Sequence, residues 1–441
     1  MKIAVIGGGA AGLVSAWLLQ DVHQVTLYEA APHLGGHAHT VHVEKDGASV
    51  PVETGFRYFF PSSYPRLMGL MALHGLQVYE SENRIGIHRP RTGRQLMLPP
   101  SGLREWTSLF SSPRDVLDLR LLHQFMTGGE RVIASRDWSC SLSEYLQREG
   151  FPDGFGERLL YPLISASWGA PLEIMPDFPA YSVVKVMRLT GSKAIHLGLH
   201  GGIETYVKAL VGALDRTELR VGVAVRRIAR DGEQWVVDGV RGRQRFDRVV
   251  LATPAWVARR LLDPAAAELH HWREALGRFT SFEARIRIHT DPSWMPEERR
   301  HWADLNHTHE PERAWMTEWA GRRHGVNAFR TWEPLGGRKV ARPQAAVDFR
   351  HLVLTPANLG YQARLAELQG RCGLHVAGMY VVDVDNHESS VRSAWEVGER
   401  LAPEGANLAS WRRATELGRQ PAIGPAVPDR PAVAAHGGSR R

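Results

Sequence analysis

Apolar positions along this chain fall into two rhythms. "KIAVI" is an unbroken β-prone run over Lys2–Ile6, as in a strand buried on both faces. "GGGAAG" interrupts it, "LVSAWLLQ" continues as a helix, and "QVTLYEA" forms a second strand ending at Glu29. Strand, tight turn, helix and strand within thirty residues predict a parallel α/β unit at the start of the chain. Farther on, "LREWTSLFSSPRDVLDLRLLHQFM" spaces its apolar residues as a helix does. Core packing is the expectation there, with pocket lining or contact with a membrane as the alternatives. Residues 418–441 are rich in Pro, Gly and Ala and are expected to be disordered.

At 441 residues the chain exceeds one simple core, so two domains are expected. The first apolar stretch is not expected to act as a signal peptide, because glycines occupy the place of an unbroken hydrophobic core. No segment reaches the ~18 apolar residues of a membrane span. The expectation is a soluble, cytoplasmic protein that at most lies on a membrane surface. Two cysteines are too few for a disulfide framework, which agrees with a reducing compartment. The net charge of +7 comes from scattered arginines. It implies a solvated surface or attraction to anionic lipid or an acidic substrate. Few aromatics lie in basic runs, so nucleic acid is not an expected partner. Oligomeric state is not legible.

Gly7, Gly9 and Gly12 fit G-x-G-x-x-G between a strand and a helix. The first permits the turn, the second lets the backbone approach a pyrophosphate, and the third lets helix and strand pack closely. The helix start, including Ala11, then offers unpaired N–H groups to phosphate. Glu29, followed by Ala30, is placed to accept from a ribose hydroxyl. A dinucleotide site follows.

"PHLGGHAHTVH" comes next, with His33, His37, His39 and His42 around Gly35-Gly36. A metal site needs three or four converging ligands. No cysteine lies nearby, and the spacing of His37 and His39 suits a strand lining one face, so no metal is expected. The segment resembles the glycine-pair block of the flavin-containing amine oxidase and phytoene desaturase superfamily. In that family it lies along the pyrophosphate and ribityl chain of FAD. Gly35 and Gly36 match the pair and Thr40 the closing hydroxyl residue. His37 stands where many members carry arginine.

The resemblance continues to about residue 402. "VETGFRYFF" carries Thr54, Gly55 and Phe56 at the block that passes the flavin. "LHGGIETYVKAL" re-enters the cofactor domain, "LRVGVAVRRI" implies Val225 at the adenine, and "FDRVVLATPA" closes the lobe. "GLHVAGMYVVDVDNHESSVRSAWEVGERL" resembles the last FAD block, with Gly378 and a helix expected from near Ser389. Ser389, Ser390 and Val391 would face the flavin. "YPLISASWGAPLEIMPDFPA" and "RIHTDPSWMPEERRHWADLNH" narrow the resemblance to bacterial members often encoded beside cyclopropane-fatty-acid synthases. Ser389-Ser390 replace the acid and glycine common in that branch, and Arg57 and Tyr58 replace small or apolar residues.

The implied fold is a discontinuous Rossmann-like FAD-binding domain, 1–75, 196–260 and 365–403, with an α+β substrate domain from 76–195 and 261–364. The implied function is an FAD-dependent oxidase or desaturase acting on an apolar, lipid-like or acyl-chain small molecule. A double-bond isomerase and a non-catalytic flavoprotein partner of a lipid-modifying enzyme are the alternatives. Glu388, Tyr58, Arg57, Tyr380 and His200 are catalytic candidates by nearness to cofactor blocks, Glu388 foremost.

Overall fold

The computed structural model describes residues 1–424 apart from 46, 82, 101, 190–194, 323–324 and 385. Lys2–Ile6 (β1), Ala10–Leu19 (α1) and Gln24–Glu29 (β2) form the strand–helix–strand unit. The strands join a five-stranded parallel sheet in the order Leu374–Val376, Arg248–Leu251, β1, β2 and Thr217–Val221. Val5 of β1 lies opposite Val250 on one side and Leu27 on the other. Three distant stretches of chain thus build one Rossmann-like sheet. Every residue of α1 is buried, which explains a segment apolar all round.

Separate hydrophobic cores cover the two faces of this sheet. On one, α1 packs among the helices Pro65–Leu73, Glu204–Gly212, His387–Leu401 and Ala406–Glu416. The last of these lies beyond residue 403, and its buried Trp411 packs edge-on to Trp17 at 6.2 Å. On the other face lie an antiparallel meander over 225–246 and the helices Ala255–Leu261, His270–Gly277 and Pro356–Leu368.

The second lobe is a seven-stranded mixed sheet. Its strands come from 281–352 and from Ile85–Arg89 and Arg94–Leu98, and helices between 103 and 189 cover it. The strand Gln77–Ser81, which the expected boundary assigns to this lobe, pairs instead with His196–Leu199.

Two expectations need correction. Within the tail expected to be disordered, Ala422 and Ile423 pair with Gln77 and Val78 as a short parallel strand. Ladder hydrogen bonds outweigh the composition there; residues 425–441 lie outside the described residues. The segment from 103 to 126 is helical, as Leu103–Phe110 and Pro113–Thr127, yet it turns only part of its apolar surface inward. Among the described residues no helix is long and apolar enough to cross a membrane.

Candidate flavin site

The turn after β1 has glycine where nothing else fits. Gly7 sits at φ +111°, and a Cβ on it would lie 2.4 Å from the Ala252 carbonyl oxygen. A Cβ on Gly12 would lie 1.8 Å from the Gly7 carbonyl oxygen, so α1 rests directly on the turn. Gly9 precedes α1 with no side-chain cap, which leaves the first N–H groups of the helix open. Gly35 donates its N–H to the Gly8 carbonyl at 2.8 Å, and Gly36 approaches Gly9 so closely that a Cβ on it would be 3.1 Å from the Gly9 Cα.

Glu29 ties the loop together. Its carboxylate accepts from the Gly8 N–H at 2.6 Å and the Ala31 N–H at 2.7 Å. Each oxygen keeps a lone pair for a further donor.

A cavity of about 450 Å³ runs over this cradle. Gly7, Gly9, Ala11, Glu29, Ala30, Gly35, Gly36, His37 and Val225 line it on the dinucleotide side. Gly378, Tyr380, His387 and Ser390 also line it. A glycine cradle that excludes side chains, open helix N–H groups and a carboxylate at the end of β2 together fit a dinucleotide cofactor.

Other candidates stand behind the wall. Thr54 is fully buried and donates its hydroxyl to the His39 carbonyl at 3.1 Å. Gly55 offers its carbonyl to Arg330 at 2.9 Å, and Phe56 stacks on the His387 ring at 4.1 Å. Val391 is core, and Ser389 turns its hydroxyl to the Val384 carbonyl. The helix of the last resemblance block, His387–Leu401, begins two residues earlier than expected, because Asn386 caps it by accepting from the Ser389 N–H at 2.8 Å. Thr40 serves a buried polar network, donating to Glu53 at 2.8 Å and accepting from the Glu204 N–H at 3.0 Å.

Of the five catalytic candidates, only Tyr380 lines the cavity. Glu388 accepts from the N–H groups of Arg66 and Leu67 at 3.1 and 3.0 Å, capping the helix Pro65–Leu73. Burial pushes its carboxyl up to about 7 despite those donors. Residues 387 and 390 share a face of their helix, whereas 388 is turned about 100° away. Arg57 is paired with the buried Glu318, which also meets Arg330 at 3.0 Å. Tyr58 lies under the Arg57 guanidinium, which is 4.4 Å from the Tyr58 ring centre. His200 packs edge-on to Tyr79 at 5.1 Å.

The four histidines around Gly35-Gly36 do not converge on one point. His42 meets Glu204 at 3.2 Å, and the His33 and His39 rings lie 4.9 Å apart. His37 turns toward the seven-stranded sheet, edge-on to Phe349 at 4.3 Å and stacked on His351 at 5.3 Å. Burial lowers its pKa to about 4, so it is neutral near pH 7. An imidazole's ordinary gain of charge at pH ~6.5 therefore moves to much lower pH here. Burial, with His37 nearby, lowers His351 and His387 to about 3. Burial also raises Tyr380, keeping it protonated.

Sequence reasoning missed His387, Met379 and a cluster formed by Trp256, Arg260 and Arg350, all lining the cavity. The two guanidinium groups lie 5.3 and 4.7 Å from the Trp256 ring. They are the only cationic side chains among the described lining residues.

Residues 10–317 match the family of flavin containing amine oxidoreductases, and the chain belongs to that family. It is an FAD-dependent oxidoreductase. The chain is 27% identical over 384 residues to the carotenoid phi-ring synthase of Streptomyces griseus, covering 79% of this chain and 69% of that protein. It is 26% identical over 285 residues to coproporphyrinogen III oxidase of Mycobacterium tuberculosis, covering 60% of this chain and 62% of that protein, just under two thirds of its length. Among solved structures, the CLA-producing fatty acid isomerase from P. acnes superposes with a TM-score of 0.66 at 17% identity, over 91% of this chain and 98% of that one. That likeness concerns the fold alone.

Proposed function

We propose that the protein oxidises or desaturates an apolar small molecule of lipid or acyl-chain character. Bound FAD supplies a hydride acceptor, and the protein supplies orientation and a dry wall. The supporting observation is the set of charges around the cavity, whose cations among the described lining residues are Arg260 and Arg350 beside Trp256. Glu29 is the only carboxylate among the described lining residues, and it is engaged with the cradle loop. His37 and His387 are neutral, as is His351 behind them, and Tyr380 keeps its proton.

A cationic amine entering here would lose hydration without gaining a counter-ion, at an effective cost of several kcal/mol per ion. An apolar chain carries no such penalty and gains about 25 cal/mol for each Å² buried. A neutral imidazole with so low a pKa is also a weak base. That suits hydride loss from a C–H better than deprotonation of an ammonium group.

Anaerobic addition of candidate substrates tests this reading. Unsaturated or long-chain lipids and alcohols are expected to bleach the oxidised flavin band, and air to restore it. Primary amines are expected to leave it unchanged. Bleaching by amines alone would contradict the proposal. A shifted double bond without consumption of any acceptor would favour the isomerase reading.

A further inference from the structure

The segment whose apolar spacing was expected to serve the core leaves a hydrophobic face outside. Leu103 is 81% exposed, Trp106 44%, Phe110 64% and Leu117 46%. Leu103, Trp106 and Phe110 follow i, i+3, i+7 spacing on the helix Leu103–Phe110, and Leu117 lies on the next helix. The Trp106 and Phe110 rings stack at 5.8 Å. Exposed large apolar residues elsewhere among the described residues come singly or two at a time, which is ordinary; four within fifteen positions are not.

The charges on these two helices are sorted by sign. Each acid points inward to an arginine from another element. Glu105 meets Arg84 at 2.8 Å, Asp115 is held by Arg89 and Arg94, and Asp118 meets Arg158 at 2.9 Å. Arg104, Arg114 and Arg120 remain exposed beside the apolar side chains. The outward surface therefore offers apolar groups, including an aromatic pair, among cations, while its negative charges are neutralised underneath.

We infer that this face docks the protein on an anionic lipid bilayer, with Leu103, Trp106, Phe110 and Leu117 entering the interface and the three arginines meeting lipid phosphates. Aromatic and aliphatic side chains gain by leaving water at the headgroup boundary. Cations are drawn to the negative surface potential. A protein partner with an acidic rim would also satisfy the charges, but an exposed aromatic pair flanked by exposed arginines matches the headgroup boundary of an anionic bilayer more directly. The inference is independent of substrate identity and of flavin occupancy.

Vesicle flotation of the full chain tests it. Binding is expected to vesicles of phosphatidylcholine with phosphatidylglycerol, to be much weaker with phosphatidylcholine alone, and to weaken as salt rises. The double variant Trp106→Ser, Phe110→Ser should lose most binding while keeping wild-type flavin content and thermal stability, which separates lost docking from misfolding. Reversing the arginines, as Arg104→Glu, Arg114→Glu, Arg120→Glu, should abolish the anionic preference, each basic residue near such a surface being worth roughly fivefold in partitioning. Wild-type protein that stays with the soluble fraction at low salt would overturn the inference. So would a folded Trp106→Ser, Phe110→Ser variant that floats equally well. A wild-type dimer that this variant converts to monomer would assign the face to a second copy and overturn it too.

Discussion

Gly9→Ala should purify as a folded protein that has lost most of its flavin. Gly9 has ordinary extended backbone angles, φ −75° and ψ −177°. The nearest atom to a Cβ there is the Gly36 Cα at 3.9 Å, an ordinary contact. The protein without cofactor should therefore tolerate the methyl group, and its melting temperature without flavin should match wild type. The methyl group enters the space in which a pyrophosphate approaches the backbone. Overpacking a well-filled site costs about 1–3 kcal/mol, or roughly five- to 150-fold in FAD affinity. Gly12→Ala is the contrasting case. Its Cβ would collide with backbone at 1.8 Å, so α1 must lift from the turn and both stability and FAD binding should fall. Titration of apoprotein with FAD, beside thermal melts of the apo forms, distinguishes the two. Wild-type FAD affinity in Gly9→Ala would mean that the pyrophosphate lies elsewhere.

Glu29→Ala should weaken FAD binding on the order of tenfold or more. The carboxylate fixes the loop through Gly8 and Ala31, and in the proposed cofactor pose it would also accept from a ribose hydroxyl. Hydrogen bonds to a charged group contribute roughly 1.5–3 kcal/mol. Removing the acceptor leaves two N–H donors unpaired and releases the turn against which Gly35 is held. Residual FAD after dialysis is the readout. Equal occupancy in mutant and wild type would contradict the role of Glu29.

The cradle was legible in the sequence because its demands fall on the backbone. Gly7, Gly12, Gly35 and Gly36 occupy positions where a side chain would clash or strain, and such positions write glycine into the chain. Glu29 was legible for a related reason, since the end of β2 fixes where its carboxylate can reach. The opposite wall was not legible. His37 meets Phe349 and His351, more than 300 residues away, and nothing local announces that pairing. Arg57 looked available until Glu318 and Arg330 arrived from the other lobe.

Helix phase misdirected the choice of Glu388. Its block was recognised, but its chemistry drew attention to the carboxylate, while His387 and Ser390 lie on the face that meets the cavity. The periodic pattern at 103–126 likewise gave the helices and not their surroundings. Apolar spacing reads the same whether a face meets the core or solvent, and only the folded chain separates buried Leu109 from exposed Phe110.

The most direct measurement is the flavin content of the wild-type protein as purified, before and after acid or heat denaturation. The geometry of one cradle and one continuous cavity predicts a yellow protein with one FAD per chain. Denaturation should release all of it into the supernatant as intact FAD. A colourless protein that cannot be reconstituted with FAD, or flavin that stays with the precipitated chain, would contradict the account.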